Sequence, residues 1–336
     1  MKALVVRLDS FGDVLLAGPA VRAVAAGSDH VTMVCGPRGA PAARLLPGID
    51  EVLVWDAPWE GVDPPTVADA DLPRLVERLR AGAYDTAVVL TSFHQSPLPT
   101  ALVLRMAGVE RITADSVDYP GSLLDVRHHR APGCHEVTAA LAVAEAAGFP
   151  LPAHDDGRMR VTPAPDTAPL TGNGPYVVVH PGATAPSRAW SPERCAEAVE
   201  MLADAGHRVI VTGGPDEREL TRTVAGRHAV DLGGRTEPHQ LAGVLGAADV
   251  VVCGNTGPAH LAAAVGTPVV SLFAPVVPAD RWGPHGVPHV LLGDQFAPCA
   301  DSRARTCPVS GHPCLNEVTA EDVLRAVEKL LEVDEA

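Results

Sequence analysis

Residues 5–24 read VVRLDSFGDVLLAGPAVRAV, and the change of pattern inside them decides the fold. An apolar, β-branched run ends in the polar turn Asp9-Ser10-Phe11-Gly12-Asp13 and gives way to Val, Leu and Ala at helical spacing, so a strand enters a helix here. Gly12 allows the backbone to reverse closely against a ligand. Asp13 falls in the first helical turn, where a carboxylate complements the positive end of the dipole, and for Asp13 taken alone that role is a sufficient explanation. The turn lacks the G-x-G-x-x-G spacing, so nothing in it supports a nicotinamide or flavin site.

Outward from this stretch the same unit repeats. In the first half "ALVVRL", "HVTMVCG", "EVLVWDA" and "TAVVLTS" read as strands, with helices such as "DLPRLVERLRAG" and "SPLPTALVLRMAG" between them. Such alternation implies parallel sheets with crossover helices, an α/β class. Residues 149–175 break the pattern with Pro, Gly and polar residues and read as an interdomain linker holding one short strand. A second series follows: "YVVVHPGA", "RVIVTGG", "AVDLGG", "DVVVCG" and "PVVSLFAP". We therefore expect two Rossmann-like domains, 1–165 and 174–336, facing each other across a cleft at the carboxyl ends of their strands, where open α/β sheets bind ligands. Ser191, Pro192 and Glu193 form a helix start, and Thr319 with an acid three residues on forms a capping-box pattern.

The 336 residues suffice for two cores, and the formal charge of -15 argues against nucleic acid or an anionic membrane surface as partner. No apolar stretch approaches the ~20 residues of a membrane span, and the opening residues read as a first strand rather than a secretion signal, so a cytoplasmic location is expected. Seven cysteines, an odd number, do not suggest a disulfide framework.

The remaining motifs lie at strand ends. "HPGATAPSRAW" offers backbone N–H groups and the hydroxyls of Thr184 and Ser187, with Arg188 as a planar cation suited to phosphate; a solvated loop fits equally well. "GNTGPAHLAAAVG" places Asn255, Thr256 and Gly257 at a helix N-terminus, a ready anion site, with His260 one turn on; close helix packing behind an Asn cap is the rival reading. Glu217 or Glu219 follows "TGGPD", where a ribose or merely a helix start would sit. The run "RHHR", 127–130, reads as a solvated turn or, with His128 and Arg130, as an anion-holding patch. Cys299, Cys307, His312 and Cys314 share a late Pro-rich loop without a C-x-x-C knuckle, so packing thiols are expected rather than structural zinc.

Taken together, "DSFGDVLLAGPAVRAV", "HPGATAPSRAWSPERCAEAVEML" and "GNTGPAHLAAAVGTPVVSLFAP" resemble glycosyltransferase family 9, the lipopolysaccharide heptosyltransferases, in order and spacing over nearly the whole chain. The resemblance implies the GT-B fold, an N-terminal acceptor domain and a C-terminal domain for a nucleotide-diphosphate sugar, usually ADP-heptose. It matches Asp13 to the catalytic carboxylate, Arg188 to the phosphate-binding cation, Thr184 to a phosphate-loop hydroxyl, and Thr256 and Gly257 to the diphosphate turn. Asn255 stands where the family usually carries Asp, which leaves the donor sugar open. We thus expect Asp13 and Arg188 in catalysis. The donor is expected on Thr184, Ser187, Glu217, Asn255, Thr256, Gly257 and His260, and a glycan or small-molecule acceptor on Ser10, Gly12, His128 and Arg130. Neither metal nor cofactor is expected for inverting transfer. A GDP- or UDP-sugar transferase, a sugar-nucleotide 2-epimerase and a non-catalytic sugar-nucleotide-binding protein are the alternatives.

Overall fold

Twelve strands among the described residues form two six-stranded sheets in which every pairing is parallel. The computed structural model describes residues 1–61 and 63–334, so Glu335 and Ala336, the end of the expected second domain, lie outside the described residues. By packing the chain divides into Met1–Thr162 and Pro163–Ala336.

In the first unit β1 (Lys2–Arg7), β2 (His30–Cys35), β3 (Glu51–Val54), β4 (Thr86–Val89), β5 (Arg111–Asp115) and β6 (Val126–His128) stand in the order β3-β2-β1-β4-β5-β6. This is the doubly wound Rossmann order, and its direction reverses between β1 and β4. The near-continuous apolar runs follow from burial on both faces. Leu4 and Val6 of β1 and Val89 of β4 pack with Leu79, Leu104 and Ile112.

The second unit repeats that order with β7 (Val177–His180), β8 (Val209–Val211), β9 (Ala229–Asp231), β10 (Val250–Gly254), β11 (Val269–Leu272) and β12 (His289–Leu292), arranged β12-β11-β10-β7-β8-β9. Its reversal lies between β7 and β10. Val177, Val252 and Val270 pack with Leu202, Leu315 and Val323. Ser191 caps the helix Pro192–Asp204 by accepting from the Arg194 amide at 3.2 Å. Thr319 and Asp322 cap the last helix, Ala320–Asp334, reciprocally.

Three expectations need correction, and two strands went unread. The 149–175 segment holds no strand but a short helix, Ala168–Thr171, and its first part packs on the first unit, where Arg22 grips Asp155 and the Thr162 amide donates to the Leu45 carbonyl. "RHHR" is not a solvated turn: Arg127 and His128 lie in β6, whose three residues carry too little apolar signal to read as a strand. Gly12 is not at a reversal; it is buried inside the helix Phe11–Leu16, and its φ is not in the left-handed region. β5 and β12 escaped notice as short strands flanked by polar residues.

Candidate active site

The carboxyl ends of β1 and β4 meet at the reversal point of the first unit, and a polar network spans it. Arg7 ends β1 and is only 2% exposed. Its guanidinium lies 2.6 Å from Asp9, 3.3 Å from Asp13 and 3.5 Å from Glu136, and it donates to Ser92 Oγ, beyond β4, at 2.8 Å. Burial disfavours charge on Arg7, but Asp9, Asp13 and Glu136 outweigh it and raise its pKa above the ordinary value. The other carboxylate oxygen of Asp13 accepts from the Ser10 hydroxyl at 2.6 Å. Its side chain keeps 18% exposure, so Asp13 is held in place and still reachable.

The network continues through Glu136, whose Oε1 accepts from Arg130 at 2.8 Å; Arg130 and His128 both bind Asp115. Four of the expected residues, Ser10, Asp13, His128 and Arg130, are thereby joined, with Arg7, Glu136 and Asp115 as links that sequence reasoning missed. One signal was available: an arginine ending a strand whose other residues read as core demands carboxylate partners. Asp9 was missed as well. Burial, helped by Asp13 and Glu60, pushes its carboxyl up to about 8 against the pull of Arg7. Gln95 donates to both Asp9 and Glu60 beside a narrow pocket also lined by Trp59, Ser96 and Thr100.

In the second unit the expected donor residues follow β7 and β10, which flank its reversal point, except Glu217, which follows β8. Gly182, just past β7, lies directly against the Glu217 carboxylate, since a Cβ there would be 1.9 Å from Glu217 Oε1. Glu217 also accepts from the Gly214 amide at 2.7 Å, so its carboxylate sits over the start of the Thr184–Arg188 loop. His180, the last residue of β7, is buried with Nδ1 3.0 Å from Thr212 Oγ1, and burial lowers its pKa, which keeps it neutral. Thr184 is exposed.

Arg188 ends a single 3₁₀ turn, Pro186–Arg188, and its carbonyl lies against Gly254 at the end of β10, where a Cβ would approach to 2.8 Å. The Arg188 turn and the Asn255-Thr256-Gly257 turn are therefore neighbours. Thr256 is the N-cap of the helix Gly257–Val265, whose first N–H groups have no intrahelical acceptor. Asn255 is 5% exposed; its amide nitrogen donates to the Ala274 carbonyl at 3.4 Å, while Oδ1 has no hydrogen-bond partner among the described residues. A buried acceptor left in that state is uncommon.

One expected donor residue, Ser187, is placed otherwise. Ser187 is fully buried and its hydroxyl donates to the Ala304 carbonyl at 2.6 Å, so it holds the turn rather than touching a ligand. His260 lies one turn into the helix Gly257–Val265 and is 5% exposed, as buried as Asn255. Among the described residues no group of three His, Cys, Asp or Glu side chains is arranged to hold a metal ion, and no helix is long and apolar enough to cross a membrane.

Two doubly wound units of this topology, with an acid after β1 and a helix N-terminus after β10, have the architecture of the GT-B fold. Known proteins agree. The sequence profile of glycosyltransferase family 9 (heptosyltransferase) matches residues 72–312. The chain is similar to the structure of Escherichia coli ADP-heptose LPS heptosyltransferase II, at 21% identity and a TM-score of 0.76 over 100% of both chains. It is similar to a family 9 glycosyl transferase from Veillonella parvula, at 18% identity and a TM-score of 0.78 over 99% of this chain and 97% of that one. An E. coli heptosyltransferase with ADP-2-deoxy-2-fluoro heptose gives 21% identity and a TM-score of 0.72 over 98% and 99%. No curated protein sequence matches the chain. The chain belongs to glycosyltransferase family 9 and is a glycosyltransferase.

Proposed function

We propose that this protein transfers a heptose from ADP-heptose to a hydroxyl of a glycan or small-molecule acceptor, with inversion at the anomeric carbon. The observation that carries this reading is the fixed yet reachable carboxylate of Asp13, held by Arg7 at 3.3 Å and Ser10 at 2.6 Å. Asp13 takes the acceptor proton as the hydroxyl oxygen bonds to the anomeric carbon, and the bond from that carbon to the ADP phosphate breaks on the opposite face. The departing diphosphate gathers negative charge, which Arg188 and the amide groups of the Thr256-Gly257 turn receive without need of a metal. Glu217 takes the ribose. Asn255 accepts from a donor-sugar hydroxyl, which gives its buried Oδ1 the partner it lacks. ADP and a fluorinated ADP-heptose bound to heptosyltransferases of the same fold support the choice of donor.

The test is Asp13→Asn, which keeps size and polarity and removes the base. Turnover is expected to fall by about 10²- to 10⁴-fold with ADP affinity almost unchanged. Wild-type turnover in that variant would remove Asp13 as the base and return it to the dipole role, which is worth only about 0.3–1 kcal/mol in stability.

A further inference from the structure

Ser187 has three polar atoms, and all three are bonded to one distant loop. Its amide donates to the Arg305 carbonyl at 2.9 Å, its hydroxyl donates to the Ala304 carbonyl at 2.6 Å, and its carbonyl faces His312 Nε2 at 3.0 Å. The residue is fully buried, and the next one along the chain is Arg188. On its other side the Arg188 carbonyl abuts Gly254. The turn that carries Arg188 is therefore clamped between the end of β10 and the loop that leads from β12 to the last helix.

That loop is itself firmly seated. Cys299, Cys314 and Leu315 are buried in the core of the second unit. The amides of Asp301 and Arg303 donate to the Pro275 and Val276 carbonyls, just past β11. Burial, with Cys299 and Cys307 close by, pushes the Cys314 thiol up to about 12, so it stays protonated and packs as a small apolar group. Asp301, Arg303 and His312 all adopt left-handed backbone, with φ of 59°, 56° and 49°. Non-glycine residues hold that conformation only where surrounding contacts over-determine it. Here it turns the His312 ring onto Ser187. The Ser187 carbonyl requires a donor, so His312 carries its proton on Nε2.

We propose that this cysteine-bearing loop positions Arg188 for the donor diphosphate, acting through Ser187, and that His312 is a positioning residue of the reaction. The proposal rests on the reading of Arg188 as the phosphate-binding cation. A guanidinium that must meet a diphosphate has to be held by its backbone, since small misplacements of a charge-bearing group weaken binding and slow turnover far beyond the worth of the lost contact. The sequence of the loop carries no such meaning, because its effect passes through the backbone of a residue more than a hundred positions away.

The experiment uses the full chain and two probes, ADP and adenosine, whose affinities are read by calorimetry for wild type, His312→Leu, His312→Gln, Arg188→Ala and the double variant His312→Leu/Arg188→Ala. Thermal unfolding is measured on the same preparations. His312→Leu is expected to weaken ADP about tenfold while adenosine, which has no phosphate, is unaffected. His312→Gln keeps an N–H near the Nε2 position and should restore ADP affinity. In the Arg188→Ala background the His312 substitution should cost nothing further, since its effect passes through the absent guanidinium. Unchanged ADP affinity in His312→Leu, an additive loss in the double variant, or equal weakening of ADP and adenosine would each overturn the proposal. Should His312→Leu fail to fold, loss of ADP affinity in a folded His312→Gln would do the same. If Arg188→Ala binds ADP like wild type, the phosphate reading of Arg188 falls and this proposal with it. Impairment of Arg188→Ala alone would remove only the role of the loop.

Discussion

Asp9 shows how one residue departs from its expected chemistry. Its carboxyl is 9% exposed beside Asp13 and Glu60, and burial pushes its pKa up to about 8 although Arg7 lies 2.6 Å away. The folded state thus binds a proton more tightly than the unfolded chain, where an aspartate titrates near ~4. Stability from this source is fully present below about 4 and is lost as pH rises toward about 8. Asp9→Asn mimics the protonated form, so its stability should change less between pH ~5 and ~9 than that of wild type. Urea unfolding at three pH values in that range checks this, and parallel curves for the two proteins would show that Asp9 is ionised throughout. Asp13, four residues on, is a different case: its place in the first helical turn was readable from the chain, but its hold on Arg7 was not.

At the scale of elements, the segment after the helix Glu136–Ala146 illustrates a tie between distant parts of one unit. Arg22, on the helix Gly18–Ala26, donates through Nε and Nη2 to Asp155 at 2.6 and 2.8 Å. The hydrogen bonds from Arg22 pull the Asp155 carboxyl down to about 2. For this depressed acid the sign is the reverse of Asp9: its contribution is present above about 4 and is lost as pH falls toward about 2. Arg22→Ala should destabilise the protein by about 1.5–3 kcal/mol at neutral pH, the worth of hydrogen bonds to a charged group. It should also flatten the acid side of the stability profile. Chemical unfolding at pH ~7 and pH ~3 would show it; an equal difference between variant and wild type at both values would rule out the pairing as the source.

At the scale of the whole molecule, the expected donor residues all fall within Pro163–Ala336. A fragment beginning at Pro163 should fold and bind ADP. Starting ten residues later would strip a strap that belongs to the unit, since Gly243 has no room for a Cβ against the Pro165 carbonyl at 2.7 Å, and His239 pairs with the Pro163 carbonyl at 2.7 Å. ADP bound by the Met1–Thr162 fragment instead would reverse the assignment of the two units.

The α/β class, the repetition of the Rossmann unit, the position of Asp13 and the helix start at Thr256 were all legible in the chain, because hydrophobic period, turn chemistry and capping act over a few residues. The order of the strands was not, and with it went the surroundings of each site. Arg7 meets Ser92, just past β4, only because β1 lies beside β4 in the folded sheet. Ser187 read as a ligand-binding hydroxyl until a loop more than a hundred residues away turned out to use every polar atom it has. Buried polar groups must find partners, and which partner each one finds is decided by packing between segments that local pattern cannot bring together.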